Sequence, residues 1–278
     1  MDVNEMRIFT IANHKGGCAK TTTAVNLAAA FAERGRRTLL IDFDPQGHST
    51  VAFRFEPKRL EKTIYDCLNK KNLPLHEVIL KTDMDALDLV PSNVLLSSAD
   101  VELAEYDTKA FKLQEKLREV ENNYEMCVID CPPWGGLLTL NALIASTDVV
   151  VPVQQHYYAL EGLKQFFDTV NVIRNNYPES DVNVLGLLLT FVEERTIFGR
   201  QIRRQMKEFF GSLLFDTVIH RTVRLAEAPS AGQSVLTYAS DSRAAKEYRA
   251  LASEILNEPV IDEDSASDEN TLEEMLNG

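Results

Sequence analysis

The sequence predicts an α/β fold: a single three-layer domain whose mostly parallel, twisted sheet carries helices on both faces. Three observations lead there. Apolar runs recur at 8–12, 38–42, 124–130, 148–153, 184–190 and 213–219. They alternate with stretches of helical character at 24–32, 95–118, 157–175, 198–210 and 242–257. Nearly continuous apolar strands separated by helices belong to a sheet buried on both sides. Several runs also end in a glycine turn or in carboxylates, and ligands of open α/β sheets bind at the carboxyl ends of strands. No internal repeat or Pro/Ser-rich linker interrupts the pattern. The expected organisation is one domain over 1–257 and an acidic tail over 258–278.

The first strand, Ile8-Phe9-Thr10-Ile11-Ala12, leads into Asn13-His14-Lys15-Gly16-Gly17-Cys18-Ala19-Lys20-Thr21-Thr22-Thr23 and then an alanine-rich helix. Strand, glycine turn, lysine, hydroxyl and helix is an arrangement that holds a nucleotide phosphate. Gly16 and Gly17 let backbone amides approach an anion, Lys20 can reach the β and γ phosphates, and Thr21 can offer a hydroxyl to magnesium. The strict pattern G-x-x-x-x-G-K-[ST] fails at His14 and Ala19. The pattern K-G-G-x-x-K-[ST]-T fits, with Lys15 added at its front. The fold is therefore expected to be of the P-loop NTPase type.

The second strand closes on Asp42-Phe43-Asp44-Pro45-Gln46-Gly47. Its two carboxylates share a face if the chain stays extended, on the edge that carries the glycine loop. A short helix is expected at 63–68 and a strand at 87–92. The run Tyr124-Glu125-Met126-Cys127-Val128-Ile129-Asp130-Cys131-Pro132-Pro133 has the form of a Walker B strand, whose carboxylate bonds magnesium or its water.

Taken together, Lys15 to Thr22, Asp42 to Gly47 and Val128 to Pro133 resemble the three nucleotide motifs of the ParA/MinD family of deviant Walker ATPases. Leu140-Asn141-Ala142-Leu143, Tyr157-Tyr158-Ala159-Leu160-Glu161-Gly162 and Val223-Arg224-Leu225-Ala226-Glu227-Ala228-Pro229-Ser230 are similar to its chromosomal branch, often called Soj. The resemblance runs from about Arg7 to Leu256. The family usually has glycine where Ala19 stands, Pro-Arg-Asn where this chain has His220-Arg221-Thr222, and a small residue where it has Trp134.

The resemblance implies an ATP hydrolase that binds ATP and Mg2+ and docks two subunits face to face around two nucleotides. Lys15 would cross to the partner's phosphates, and Asp44 would position or activate the attacking water. The loop residues Gly16, Gly17, Cys18, Ala19, Lys20, Thr21 and Thr22 would hold the nucleotide, with His220 and Thr222 near the base. Thr21 and Asp130 would serve the metal. Asp42 is open between supporting the metal and steadying the loop.

The ATP-bound dimer of the family binds double-stranded DNA without sequence preference. The resemblance points to Arg195, Arg221 and Arg224. Arg200 and Arg203 belong either to the same patch or to the solvated face of an amphipathic helix whose Ile202, Met206, Phe209 and Phe210 turn inward. A ParB-like partner would stimulate hydrolysis, and the cargo would be a chromosome, a plasmid or another body. The implied location is the cytoplasm, on the nucleoid.

Composition limits the alternatives. The 278 residues carry a formal net charge of −13, which excludes nucleic-acid binding over the whole surface but not through a local patch. Glu258, Asp262, Glu263, Asp264, Asp268, Glu269, Glu273 and Glu274 make the last stretch acidic, with no lysine or arginine from 258 on. A MinD-like regulator at the membrane surface would need a basic amphipathic end instead. The first residues are acidic and lead into a strand, unlike a signal peptide. Cys18, Cys67, Cys127 and Cys131 lack zinc spacing and are expected as free thiols, with Cys18 a small residue in a tight loop. An iron–sulfur carrier on this fold would need a cysteine pair at a dimer axis, and Cys131 has no second candidate. A non-hydrolysing DNA-binding scaffold is the remaining alternative.

Overall fold

The computed structural model describes residues 5–69, 73–106, 108–133, 136–155, 159–193 and 197–260. Arg195, Trp134, Tyr157, Tyr158 and the tail from 261 onward lie outside them.

Among the described residues eight strands form one sheet: β1 (Arg7–Ile11), β2 (Thr38–Asp42), β3 (Leu80–Lys81), β4 (Leu87–Val90), β5 (Met126–Asp130), β6 (Asp148–Gln154), β7 (Asn183–Val192) and β8 (Leu214–His220). Their order across the sheet is β3-β4-β2-β5-β1-β6-β7-β8. Every pairing is parallel except β3 with β4. The helices are α1 (Lys20–Glu33), α2 (His48–Val51), α3 (Ile64–Asn69), α4 (Ala99–Glu102), α5 (Lys112–Arg118), α6 (Leu137–Ala145), α7 (Ala159–Asn176), α8 (Ile197–Phe210), α9 (Val223–Ser230), α10 (Val235–Tyr238) and α11 (Arg243–Leu256).

The two-residue period of the strands divides the core. On β5, Met126 and Val128 face one helical layer while Cys127 and Ile129 face the other. The first layer draws on α1, α9, α10 and α11, where Phe31, Leu225, Leu236 and Tyr248 are buried. The second draws on α5, α6, α7 and α8, with Leu113, Leu143, Phe166 and Met206. This is the three-layer arrangement expected from the alternation of strands and helices.

Two helical readings change. The stretch 95–118 is not one helix: 3-10 turns at Val94–Ser98, Leu103–Glu105 and Lys109–Phe111 break it, and among the described residues only α4 and α5 are α-helix. Its apolar residues fill a corner beside α3 and α6 rather than forming one stripe. On α8, Ile202 and Met206 are buried as expected, but Phe209 is 72% exposed. Phe210 instead turns back and stacks on Phe167.

Helix α1 runs away from the glycine loop, and its far end meets the close of α11. Arg249 on α11, itself buried, forks onto both carboxylate oxygens of Glu33 at 2.7 Å. Just past α11, Glu258 pairs with Arg34 and Arg36. The start of the acidic stretch is thus anchored at the end of the sheet opposite the loop.

Candidate nucleotide site

The site gathers at the carboxyl ends of β1, β2 and β5. Position Ile11 on β1 lies beside Asp130, and Asp130 lies beside Asp42. Adjacent parallel strands of matched register bring the glycine loop and both strand-end carboxylates to one place.

Asn13 starts the loop by donating to the Pro152 carbonyl (2.6 Å) and accepting the Lys15 N–H (3.1 Å). Thr190, buried on β7, donates to the Cys18 carbonyl at 3.1 Å. These anchors leave Lys15, Gly16 and Gly17 exposed. Gly17 takes φ +72°, a left-handed conformation suited to glycine. Ala19 adopts the same conformation, φ +71° and ψ +30°, at the N-cap of α1. The glycine usual in the family is explained by that backbone, which an alanine enters at a cost of about 1 kcal/mol.

Lys20 is buried at the start of α1, its Nζ donating to the Lys15 carbonyl at 2.9 Å. The free N–H groups of the first helical turn lie beside it, so an anion there meets both a helix N-terminus and an ammonium. Lys15 reaches the other way, its Cε lying 3.3 Å from where a Cβ on Gly162 of α7 would stand. Cys18 is buried and donates to the Lys15 carbonyl, and burial pushes its thiol above the usual range. It is a packed small residue, as expected, and not a reactive one.

β2 ends at Asp42, and Asp44 lies beyond it in a turn, so the two do not share an extended face. They converge because the Asp44 N–H donates to Asp42 Oδ1 at 3.3 Å. Asp44 Oδ1 accepts the Gln46 N–H (2.9 Å), and its carbonyl accepts the Gly47 N–H (3.0 Å). Gly47 has φ +68°, and a Cβ there would stand 2.9 Å from Pro57 and 3.3 Å from the Ser92 carbonyl. The turn therefore requires glycine twice over, for its dihedral and for its space.

Asp42 and Asp130 are fully buried. Burial raises the pKa of both, and for Asp130 the neighbouring Asp42 charge adds to the rise. Thr50 holds Asp42 back towards its charged form, and the Ser49 and Thr21 hydroxyls do so for Asp130. Asp42 Oδ2 accepts from both the N–H and hydroxyl of Thr50. Asp130 Oδ2 accepts from Ser49, but its Oδ1 is buried without a hydrogen-bond partner among the described residues. An unsatisfied buried carboxylate oxygen beside a threonine hydroxyl suits a hard divalent cation, which takes oxygen ligands and would relieve the charge.

The base-side and basic-patch residues are placed more loosely. His220 ends β8 with its ring between Glu247 and Arg243. Thr222 is the N-cap of α9, and its buried hydroxyl has no hydrogen-bond partner among the described residues. Arg221 lies over the Phe191 ring and 3.7 Å from Glu193. Arg224 pairs with Glu227 at 2.8 Å. On α8, Arg203 donates to the Asp216 carbonyl, and Arg200 is exposed on the same helix.

An AAA-domain family model (AAA_31) matches residues 6–184. The sporulation initiation inhibitor protein Soj of Bacillus subtilis strain 168 is 42% identical over 249 residues, covering 90% of this chain and 98% of Soj. The chain belongs to the ParA/MinD family of ATPases. Another relative is the chromosome partitioning protein ParA of Myxococcus xanthus, 39% identical over 90% of this chain and 88% of that ParA. Among solved structures, cobyrinic acid a,c-diamide synthase from Mycobacterium smegmatis shares 30% identity at a TM-score of 0.79, covering 90% of this chain and 94% of that one. The synthase has also been crystallised with an ATP analogue and magnesium. A Borrelia burgdorferi plasmid partition protein bound to AMPPNP shares 25% identity at 0.75, covering 91% and 97%. The glycine loop, Asp42, Asp44 and Asp130 all lie inside the span matched by the family model.

Sequence reasoning missed Ser49, Thr50, Asn13 and Thr190. For Ser49 and Thr50 a signal existed: two adjacent hydroxyls follow the glycine of a carboxylate turn after one intervening residue, His48. Asn13 and Thr190 could be found only through the tertiary contacts that join β1 to β6 and β7.

Proposed function

We propose that the protein is an ATP-dependent, dimerising switch. It hydrolyses ATP, binds DNA without sequence preference when ATP-bound, and partitions a chromosome, plasmid or other cargo. A ParB-like protein stimulates hydrolysis and releases the DNA. The observation that carries this reading is the convergence of Lys20, Thr21, Asp42, Asp44 and Asp130 beside the amide-lined loop. The relatives named for chromosome and plasmid partitioning support it.

In this reading the loop amides and Lys20 bind the triphosphate. Lys15 extends from the exposed rim to the nucleotide of a second copy, where its charge offsets that developing on the transferred phosphoryl group. Asp44 accepts a hydrogen bond from the attacking water and orients it. Thr21 and Asp130 would hold magnesium, with Asp42 steadying the turn. The ion, when bound, withdraws charge from the phosphate oxygens.

Arg195, Arg200, Arg203, Arg221 and Arg224 form the proposed DNA patch. Exposed ion pairs such as Arg224–Glu227 are screened by solvent and contribute little, so phosphates can displace these acids readily. Among the described residues no helix is long and apolar enough to cross a membrane. The acidic stretch from Glu258 would be repelled by anionic lipid, which favours a cytoplasmic, nucleoid-associated protein over a membrane-surface regulator.

The test measures dimerisation by sedimentation and DNA binding with ADP, ATP and a non-hydrolysable analogue, in wild type and Asp44→Ala. Dimers and DNA complexes should require ATP or the analogue, and Asp44→Ala should accumulate both with ATP. Equal DNA binding in ADP and ATP, or a monomer at saturating magnesium-ATP with turnover blocked, removes the switch.

A further inference from the structure

The turn that carries Asp44 is tied down at its far end by two consecutive hydroxyls. Ser49 donates to Asp130 Oδ2 at 2.8 Å. Thr50 donates to Asp42 Oδ2 at 2.7 Å through its hydroxyl and at 2.7 Å through its N–H. The Thr50 hydroxyl also accepts the Ser92 N–H at 3.0 Å, joining α2 to the end of β4. Ser49, Thr50 and Ser92 are each wholly buried. A hydroxyl whose proton and lone pair are both engaged has little freedom to rotate.

We propose that Ser49 and Thr50 are positioning residues of the hydrolytic centre: together they clamp α2 onto the two strand-end carboxylates and so fix the turn that presents Asp44. This rests on the hydrolase reading above. Between Asp42 and α2 the chain has only a five-residue turn, 43–47. The Asp44 bonds from Gln46 and Gly47 are local to it and do not tie it to the sheet. The Phe43 N–H bonds the Asp130 carbonyl at the near end, and the two hydroxyls supply the far end. Deleting the Thr50 hydroxyl leaves Asp42 one donor fewer and the buried Ser92 N–H without this acceptor, which frees α2 to lift. Ser49 has a second effect. By occupying Asp130 Oδ2 it leaves the unsatisfied Oδ1 as the oxygen available to the cation.

The full chain is tested as Thr50→Val, which keeps shape and removes the hydroxyl, Thr50→Ser, which restores it, and Ser49→Ala. Thr50→Val should lower kcat roughly 10–100-fold with KM for ATP within about threefold, as expected when a reacting group is held loosely. The Gln46 and Gly47 amides of the nucleotide-free protein should exchange about tenfold faster in the same variant. Thr50→Ser should recover both. For Ser49→Ala, the magnesium concentration giving half-maximal binding of a fluorescent ATP analogue should rise by roughly tenfold, while binding in EDTA stays unchanged. Wild-type exchange and turnover in Thr50→Val, or failure of Thr50→Ser to restore them, overturns the clamp. Equal weakening of Ser49→Ala with and without magnesium removes the role of Ser49. If wild type itself does not hydrolyse ATP, the hydrolase reading fails, and the exchange rates still decide whether the clamp exists.

Discussion

Ala19 holds a backbone conformation that glycine enters more easily than alanine. A methyl group occupies a left-handed backbone position, next to Lys20, in the loop that must close on phosphate. Glycine would relieve the steric cost but give back part of it as freedom in the unfolded chain. Ala19→Gly should therefore raise stability by only part of that ~1 kcal/mol, on the order of 0.5 kcal/mol, seen as a melting temperature roughly 1–2 °C higher. A lower or unchanged melting temperature would mean that the loop is not held in this conformation in solution. Asp42 illustrates a residue whose two readings were balanced in the sequence. Both its oxygens accept hydrogen bonds within its own segment, from Asp44 and Thr50. This weights it towards holding the turn, while Asp130, with one oxygen unsatisfied, is better suited to the cation.

At the scale of elements, α11 does two jobs that hydrophobic periodicity cannot reveal. Its glutamates blunt the outer edge of β8: Glu254 accepts the N–H groups of Asp216 and Thr217, and Glu247 accepts that of His220. Unpaired edge amides would otherwise invite another strand. Its Arg249 locks the helix to α1 through Glu33 and also donates to the Ser240 carbonyl at 2.8 Å. Arg249→Met should cost about 1–2 kcal/mol by removing its charged hydrogen bonds to the solvent-exposed Glu33 and to the Ser240 carbonyl, and Arg249→Met with Glu33→Leu should recover part of it. Denaturant melts of the two variants check this, and an equal loss in both would assign the effect to packing instead.

The strands and long helices on these faces were legible because each carries one dominant apolar period. The corner at 94–118 was not, because its apolar residues are shared among several short turns with no single period. The acids beside the candidate DNA arginines were partly legible. Glu227 lies three residues from Arg224 on one helix, whereas Glu193 reaches Arg221 only because β7 and β8 end side by side. Phe209 fits the helical stripe of α8, yet it is left exposed, which periodicity alone does not reveal.

The whole molecule carries a net negative charge, so any attraction to DNA must be local and short-ranged. The candidate arginines among the described residues, Arg200, Arg203, Arg221 and Arg224, lie on the β7–β8 side of the sheet, on α8, just past β8 and on α9. Binding through them should weaken steeply with salt. Arg224→Ala should lower DNA affinity, reduce the slope of log affinity against log salt by about 1, and leave ATP-dependent dimerisation intact. An unchanged slope would move the patch elsewhere on the surface.

The pairing of Glu258 with Arg34 and Arg36 has a practical corollary. Helix α1 has 14 residues, which separates that anchor from the phosphate loop by about 20 Å. A fluorescent reporter fused after Val260 would leave the body at the remote pole, so imaging of the living cell need not disturb the face on which two copies are proposed to meet.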